Sequence, residues 1–249
     1  MTVREMIEAD CKAVGALYSA AWREGYKGLL PKELLDKITP ERYEVRSHVN
    51  GFLNEGSFVA VEGERIVAHC HARAADEPKM RGWGEIHTLY THPEYWRQGC
   101  GTAVFRRAEE WLYDRGFDDV YLYVLESNER AERFYRSQGF FPNMDTLCCD
   151  LGGEVVTDNR FIKHYPRSTR YGEAEEKTAE SGAAAIAEVL ENGGFKQRSG
   201  LLLCLDMYLD PYYKKTLPER EKVLDVLRGY EKTAADSTLF AVRELLNYV

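Results

Sequence analysis

The segment that most narrows what this chain can fold into is Tyr90–Thr102, YTHPEYWRQGCGT. The residues leading into it, WGEIHTLYTH, alternate as a strand does and place Glu85, His87, Leu89 and Thr91 on one face and Ile86, Thr88 and Tyr90 on the other. A loop with Gly99 and Gly101 follows, and a helix begins at once, its apolar stripe being Val104, Ala108, Trp111 and Leu112. Backbone N–H groups at a helix N-terminus are unpaired and carry partial positive charge, and glycines let an anion approach them without side-chain clash. The turn is not a P-loop, since G-x-x-x-x-G-K-[ST] is absent, and it lacks the G-x-G-x-x-G of a dinucleotide fold.

The other elements predict a mixed α/β sheet with helices on its faces. TVREM reads as an edge strand, and Asp10 as the cap of a helix through Cys11–Trp22. Further helices are expected over Lys32–Ile38 and after Pro40, the latter capped by Thr39. SFVAVEG and RIVAHCHARAA form a hairpin across Glu62–Glu64. The glycine-loop helix runs to about Arg115 and stops at Gly116. Strand DDVYLYVLE then leads to helix NERAERFYRSQ, ended by Gly139, and two strands follow around Phe140–Leu151 and Glu154–His164. Residues 166–182 are polar and read as a linker that turns helical toward its end. Residues 183–249 read as a small all-α domain of four helices, the third starting near Pro218 with Thr216 as its cap. The expected organisation is therefore a catalytic domain over 1–165, a linker, and a helical domain.

The net charge of −8 gives no electrostatic help toward nucleic acid or an anionic membrane, so neither is expected as a partner. The six cysteines make no C-x-x-C pair and no metal-ligand spacing, so no metal is expected. Residues 1–15 lack the apolar run of a signal peptide, and no stretch reaches the ~20 apolar residues of a membrane span. A cytoplasmic protein with reduced thiols is the expectation.

Glu85–Ala103, EIHTLYTHPEYWRQGCGTA, resembles motif A of the GNAT superfamily of N-acetyltransferases, and Leu122–Phe140, LYVLESNERAERFYRSQGF, resembles its motif B. AAWREGYKGLLPKELLD looks like the acceptor-side helices of small-molecule members, and RFIKHY like the final strand, so the resemblance covers about residues 1–165. It implies acetyl-CoA as co-substrate. Leu89, Tyr90 and Thr91 match the strand that pairs with the pantetheine arm; Arg97, Gln98, Gly99, Cys100, Gly101 and Thr102 match the diphosphate loop; Asn128 matches the motif B asparagine on the cofactor arm. Tyr135 matches the tyrosine that protonates the departing thiolate, and Glu85 the carboxylate used as a base in some members, with His87 the second candidate. One departure stands out: the loop is usually written [QR]-x-x-G-x-[GA], and here Trp96 fills its first position.

The implied reaction is direct acetyl transfer to a primary amine of a small molecule, through a tetrahedral intermediate whose carbonyl oxygen is polarised by strand N–H groups. Peptide or protein amines are the alternative acceptors, and a catalytically weak acetyl-CoA-binding module is the alternative from another class. Tyr135 also fits an ordinary aromatic stripe with Ala131 and Phe134, and Trp22 and Tyr26 fit either an acceptor pocket or helix packing. The tail's apolar stripes, such as Leu201, Leu202, Leu205 and Leu209, must be buried. A bundle this small forms a marginal core alone, so it is expected to dock on the catalytic domain or on a second subunit, as a homodimer would provide.

Overall fold

A computed structural model describes residues 1–42, 44, 55–151, 153–165 and 171–248. The first elements are β1 (Thr2–Glu5), α1 (Cys11–Gly25), α2 (Lys32–Asp36), β2 (Gly56–Glu62), β3 (Arg65–Ala74) and β4 (Gly84–Thr91). Then come α3 (Cys100–Asp114), β5 (Asp119–Leu125), α4 (Glu129–Ser137), β6 (Phe141–Asp150) and β7 (Val155–His164). Five helices close the chain: α5 (Glu173–Glu180), α6 (Ala183–Asn192), α7 (Phe195–Leu209), α8 (Arg220–Thr233) and α9 (Thr238–Leu246). The strands form one seven-stranded sheet in the order β1-β2-β3-β4-β5-β7-β6. No helix among the described residues is long and apolar enough to cross a membrane. No group of three or more His, Cys, Asp or Glu among them is placed to hold a metal ion.

The chain divides into two compact units. In the first, comprising 1–73, 84–112 and 120–163, helices cover both faces of the sheet. Adjacent residues of β2 show this, since successive side chains on a strand point opposite ways. Val59 is buried in a cluster with Val14, Leu17 and Tyr18 of α1, whereas Phe58 lies under the Arg107 guanidinium of α3, 4.9 Å from its ring centroid. The hairpin read from sequence forms as antiparallel β2–β3, with Phe58 opposite Cys70 and Val59 opposite His69.

Some local readings give way to longer-range partners. Asp10 does not cap α1 with its side chain: it sits in a 3₁₀ turn, Glu8–Asp10, where its carboxylate accepts two bonds from Arg4 and one from the Ile7 N–H. α2 ends at Asp36 rather than Ile38. Thr39 Oγ1 accepts from the Arg42 N–H at 3.4 Å, as an N-cap does, and residues 40–42 are helical. The remainder of the helix expected there falls largely outside the described residues.

The second unit comprises 74–83, 113–119 and 164–249. Its apolar stripes meet one another: Ile186, Leu190, Leu201, Leu205, Val223, Leu227, Leu239 and Val242 join one buried cluster that begins at Ala179 of α5. α5 itself lies within the stretch read as a linker. α8 starts at Arg220, so neither Thr216 nor Pro218 opens it; Glu219 takes a left-handed conformation (φ 50°) and its carboxylate accepts from the Ala183 N–H at the start of α6. The segments from earlier in the chain are built into this unit by polar bonds. Arg81 donates to the carbonyls of Glu231 and Ala234, and the Ser237 N–H donates to the Gly116 carbonyl.

Gly116 is where backbone and packing constraints coincide. Its φ is +88°, and a Cβ there would stand 2.0 Å from the Phe195 ring. Gly139 has a similar φ of +87°, but a Cβ would meet only Lys163 Cε at 3.6 Å. Gly139→Ala should therefore cost about 1 kcal/mol from backbone strain alone, and Gly116→Ala at least about 2 kcal/mol more through overpacking. Urea unfolding measures both; equal losses would mean that Phe195 moves aside freely.

Candidate active site

β4 and β5 run parallel and pair at Gly84↔Val120 and Glu85↔Tyr121. Past that point the two strands separate, and a cavity of about 360 Å³ opens between the end of β4 and Tyr123, Val124 and Leu125 of β5. The end of α1 with Tyr26, the glycine loop, and Arg130, Phe134 and Tyr135 of α4 complete its walls. Such a gap exposes main-chain donors and acceptors that a continuous sheet would pair.

The alternation read along β4 breaks inside this gap. His69, His71 and Arg73 of β3 share the face that carries α1. Arg73 Nε pairs with Glu85 Oε2 at 2.7 Å, and the His71 ring meets the His87 ring edge-on at 5.5 Å, so Glu85 and His87 project to that face. Thr88 projects there as well, its Oγ1 lying 2.7 Å from the Tyr18 hydroxyl of α1, and Tyr90 packs on the same ring. Successive residues His87 and Thr88 thus point to one side, contrary to the two-face assignment, and Thr91 turns the other way, toward Gly101 at the start of α3. An uncharged relay braces the wall behind them. Ser57 Oγ meets His69 Nε2 at 2.8 Å, and His69 Nδ1 meets the Tyr18 hydroxyl at 2.7 Å. Burial pushes His69 down to about 3, so the ring stays neutral and links the two hydroxyls through its two nitrogens.

Of the residues read from sequence, Leu89, Tyr90, Thr91, Arg97, Gly99, Gly101, Thr102, Asn128, Tyr135 and His87 line the cavity. Glu85, Gln98 and Cys100 do not. Gln98 spends its side-chain amide on the Glu94 carbonyl, and the Cys100 side chain is buried in the helix start. Glu85 stands behind His87, its Oε1 3.0 Å from His87 Nδ1. Burial alone would raise the Glu85 pKa, but the bonds from His87 and Arg73 outweigh it and hold the carboxyl below its usual range. An ionised Glu85 keeps the ring proton on His87 Nδ1 and leaves the Nε2 lone pair available.

The glycine loop has the predicted strand–loop–helix form. Arg97 and Gly99 both have positive φ, 63° and 84°, and a Cβ on Gly101 would stand 2.7 Å from Thr91 Oγ1. Trp96 is anchored by its indole N–H, which donates to the Thr91 carbonyl at 2.8 Å. Asn128 caps α4, accepting from the Ala131 N–H at 3.2 Å. Tyr135 is buried among Phe105, Phe134 and Phe140, and burial raises its pKa well above the ordinary value. Tyr26 lines the cavity, and Trp22 packs against it with the rings tilted and their centroids 4.5 Å apart.

Sequence reasoning missed Arg130, Arg73 and Tyr123. Arg130 did leave a signal: it is a cation in the first turn of α4, where the helix dipole disfavours positive charge.

Comparison with known proteins follows the same lines. The sequence model of the Acetyltransferase (GNAT) family matches residues 15–140. An uncharacterized N-acetyltransferase of Bacillus subtilis is 26% identical over 129 residues, 51% of this chain and 73% of that one. A mycothiol acetyltransferase of Thermobispora bispora is 36% identical over 89 residues, 36% of this chain and only 29% of that one. Among solved structures, the PaiA N-acetyltransferase of Thermoplasma acidophilum in complex with coenzyme A is 22% identical with a TM-score of 0.50, over 66% of this chain and 98% of that one. A Pyrococcus horikoshii protein, 21% identical, has a TM-score of 0.52 over 66% and 98%. These likenesses show the fold.

The depressed Glu85 carboxyl has a consequence for stability. A group whose pKa is lowered on folding adds stability above its ordinary value, 4.5, and that contribution disappears as pH falls through the folded value. Glu85→Gln should therefore be less stable than the parent by about 1–3 kcal/mol at neutral pH. The deficit should shrink steadily in acid. A deficit that stays constant from neutral pH to strong acid, measured by urea unfolding, would contradict an ionised Glu85 held by Arg73 and His87.

Proposed function

The chain belongs to the Acetyltransferase (GNAT) family, and we propose that this acetyltransferase moves the acetyl group of acetyl-CoA to a primary amine of a small molecule. The observation that carries the reading is that His87, backed by Glu85, and the protonated Tyr135 line one cavity at the point where β4 leaves β5. Acetyl-CoA supplies a thioester carbonyl there. The residues fit it: a glycine loop whose Gly101 is crowded by the Thr91 hydroxyl, a cap residue in Asn128, and a stretch of β4, Leu89–Thr91, that lines the cavity beyond the strand's pairing with β5.

His87 Nε2 takes the proton that the amine nitrogen must lose as its bond to the acetyl carbon forms, while Glu85 holds the ring and balances the charge it gains. Main-chain N–H groups of β4 left open by the strand separation polarise the carbonyl oxygen. Tyr135 gives its proton to the sulfur as the C–S bond breaks. The burial that keeps Tyr135 protonated would also make a thiolate beside it a stronger base. The proton on His87 passes to solvent, and Tyr135 recovers one before the next turnover.

A small acceptor is supported by the size of the cavity, which is within the range of small-molecule pockets at about 360 Å³ and must hold the acyl end as well. It is also supported by the mycothiol acetyltransferases among the relatives, although the chain spans about a third of their length. Following CoA release over simple amines, amino acids, aminoglycosides and peptides tests this reading. Turnover of peptides with none of the small amines would overturn it. With an acceptor in hand, His87→Gln and Tyr135→Phe should each lower kcat by roughly 10²–10⁴-fold with little change in affinity for acetyl-CoA. Wild-type kcat in either variant would remove that residue from the mechanism.

A further inference from the structure

The charges around the cavity are segregated. No aspartate or glutamate is among the described residues that line it, although the chain as a whole carries a net charge of −8. Two arginines line it, Arg97 and Arg130, and neither makes an ion pair with any described residue. Elsewhere Arg4, Arg65, Arg73, Arg133 and Arg198 each meet a carboxylate. Glu24 acts on Arg130 only from beyond ion-pair distance, so the guanidinium's donors stay available to an anion that arrives from solvent.

Arg130 is held in place without being neutralised. Its guanidinium lies 3.9 Å from the centroid of the Trp96 ring. Trp96 is fixed in turn by the indole bond to the Thr91 carbonyl. Close by, a Cβ on Gly25, the last residue of α1, would stand 3.0 Å from Arg130 Nη2, so the glycine leaves the guanidinium more room there. Stacking on an aromatic face leaves the N–H donors at the guanidinium's edge for a planar, two-point contact. Trp96 also brings no charged or amide group of its own to the loop position it fills.

We propose that Arg130, set over the Trp96 ring, grips the diphosphate of the CoA arm, so that the pair, drawn from the glycine loop and from α4, forms one clamp. The clamp rests on the acetyl-CoA reading above and assigns it a side chain outside the glycine loop. It also explains why a cation is kept in the first turn of α4 against the helix dipole: a doubly charged ligand there outweighs the dipole's penalty.

The test is calorimetric binding of three probes, CoA, 3′-dephospho-CoA and pantetheine, to the full chain and to Arg130→Gln, Arg130→Lys, Trp96→Leu and the Arg130→Gln/Trp96→Leu double variant. Arg130 is exposed at the helix surface, so its variants should fold, which circular dichroism and the unfolding midpoint check. Arg130→Gln should weaken CoA by roughly tenfold to a hundredfold, the range of a charge-assisted bond. The same factor should appear with 3′-dephospho-CoA, and none with pantetheine, which lacks the diphosphate. Arg130→Lys should fall between, and Trp96→Leu should add nothing to Arg130→Gln in the double variant. Unchanged CoA affinity in Arg130→Gln overturns the clamp while leaving the acetyl-CoA reading intact. A factor that vanishes with 3′-dephospho-CoA overturns the diphosphate assignment by moving Arg130 to the 3′-phosphate. Failure of the wild-type chain to bind CoA overturns the acetyl-CoA reading itself.

Discussion

The site depends on the early parting of β4 and β5. Their recorded pairing stops at Glu85, and the residues beyond it supply most of the cavity's lining. A sheet that stayed zipped would satisfy its main-chain groups internally and have none to offer a ligand. Once the strands separate, those groups need partners other than the neighbouring strand. The change of face between His87 and Thr88 belongs to the same event. It brings an imidazole and a hydroxyl to one side within a single step of the chain, which regular pleating cannot do.

A gap in a sheet must be propped open. Tyr18, His69 and Ser57 form a buried hydrogen-bonded line that ends on Thr88, and because His69 is neutral the line carries no charge that burial would penalise. The charged pair is separate: Arg73 and Glu85 meet across β3 and β4, and Glu85 also bonds the His87 ring on the same face. On the far side, Phe105, Phe134, Tyr135 and Phe140 pack ring against ring and fix the angle at which α4 reaches the cavity. The two walls are therefore built differently, one on buried hydrogen bonds and the other on aromatic packing.

What the sequence made legible was local pattern. The β2–β3 hairpin, the strand–loop–helix turn at Gly99 and the tail's stripes all follow from spacing within a few residues, and each has the expected form. The errors came where a distant partner claimed a group that local rules had assigned. Asp10 looks like a cap, but Arg4 offers its carboxylate a two-point contact. Thr216 and Pro218 look like a helix start, but Glu219 turns left-handed to reach the Ala183 N–H, and the helix begins after it. The face break in β4 was invisible because a period of two, applied along a strand, assumes that the strand is regular. Glu85 could be placed beside His87 by that period, but the order of the two relative to the cavity needed Arg73, whose role comes from another strand.

The Trp96–Arg130 contact shows why net charge is a poor guide to ligands. A charge of −8 spread over a surface argues against long-range attraction of nucleic acid, and it argues nothing about a pocket from which acids are excluded. Beyond roughly a Debye length, about 8–10 Å at ordinary salt, surface carboxylates are screened, and what a phosphate meets is set by the groups within contact. Along this cavity the nearest groups include the start of α3, Arg97 in its left-handed turn, and Arg130 over the Trp96 ring. The starts of α3 and α4 and two arginines thus gather at a cavity whose own lining holds no carboxylate, a local arrangement that the molecule's total charge does not reveal.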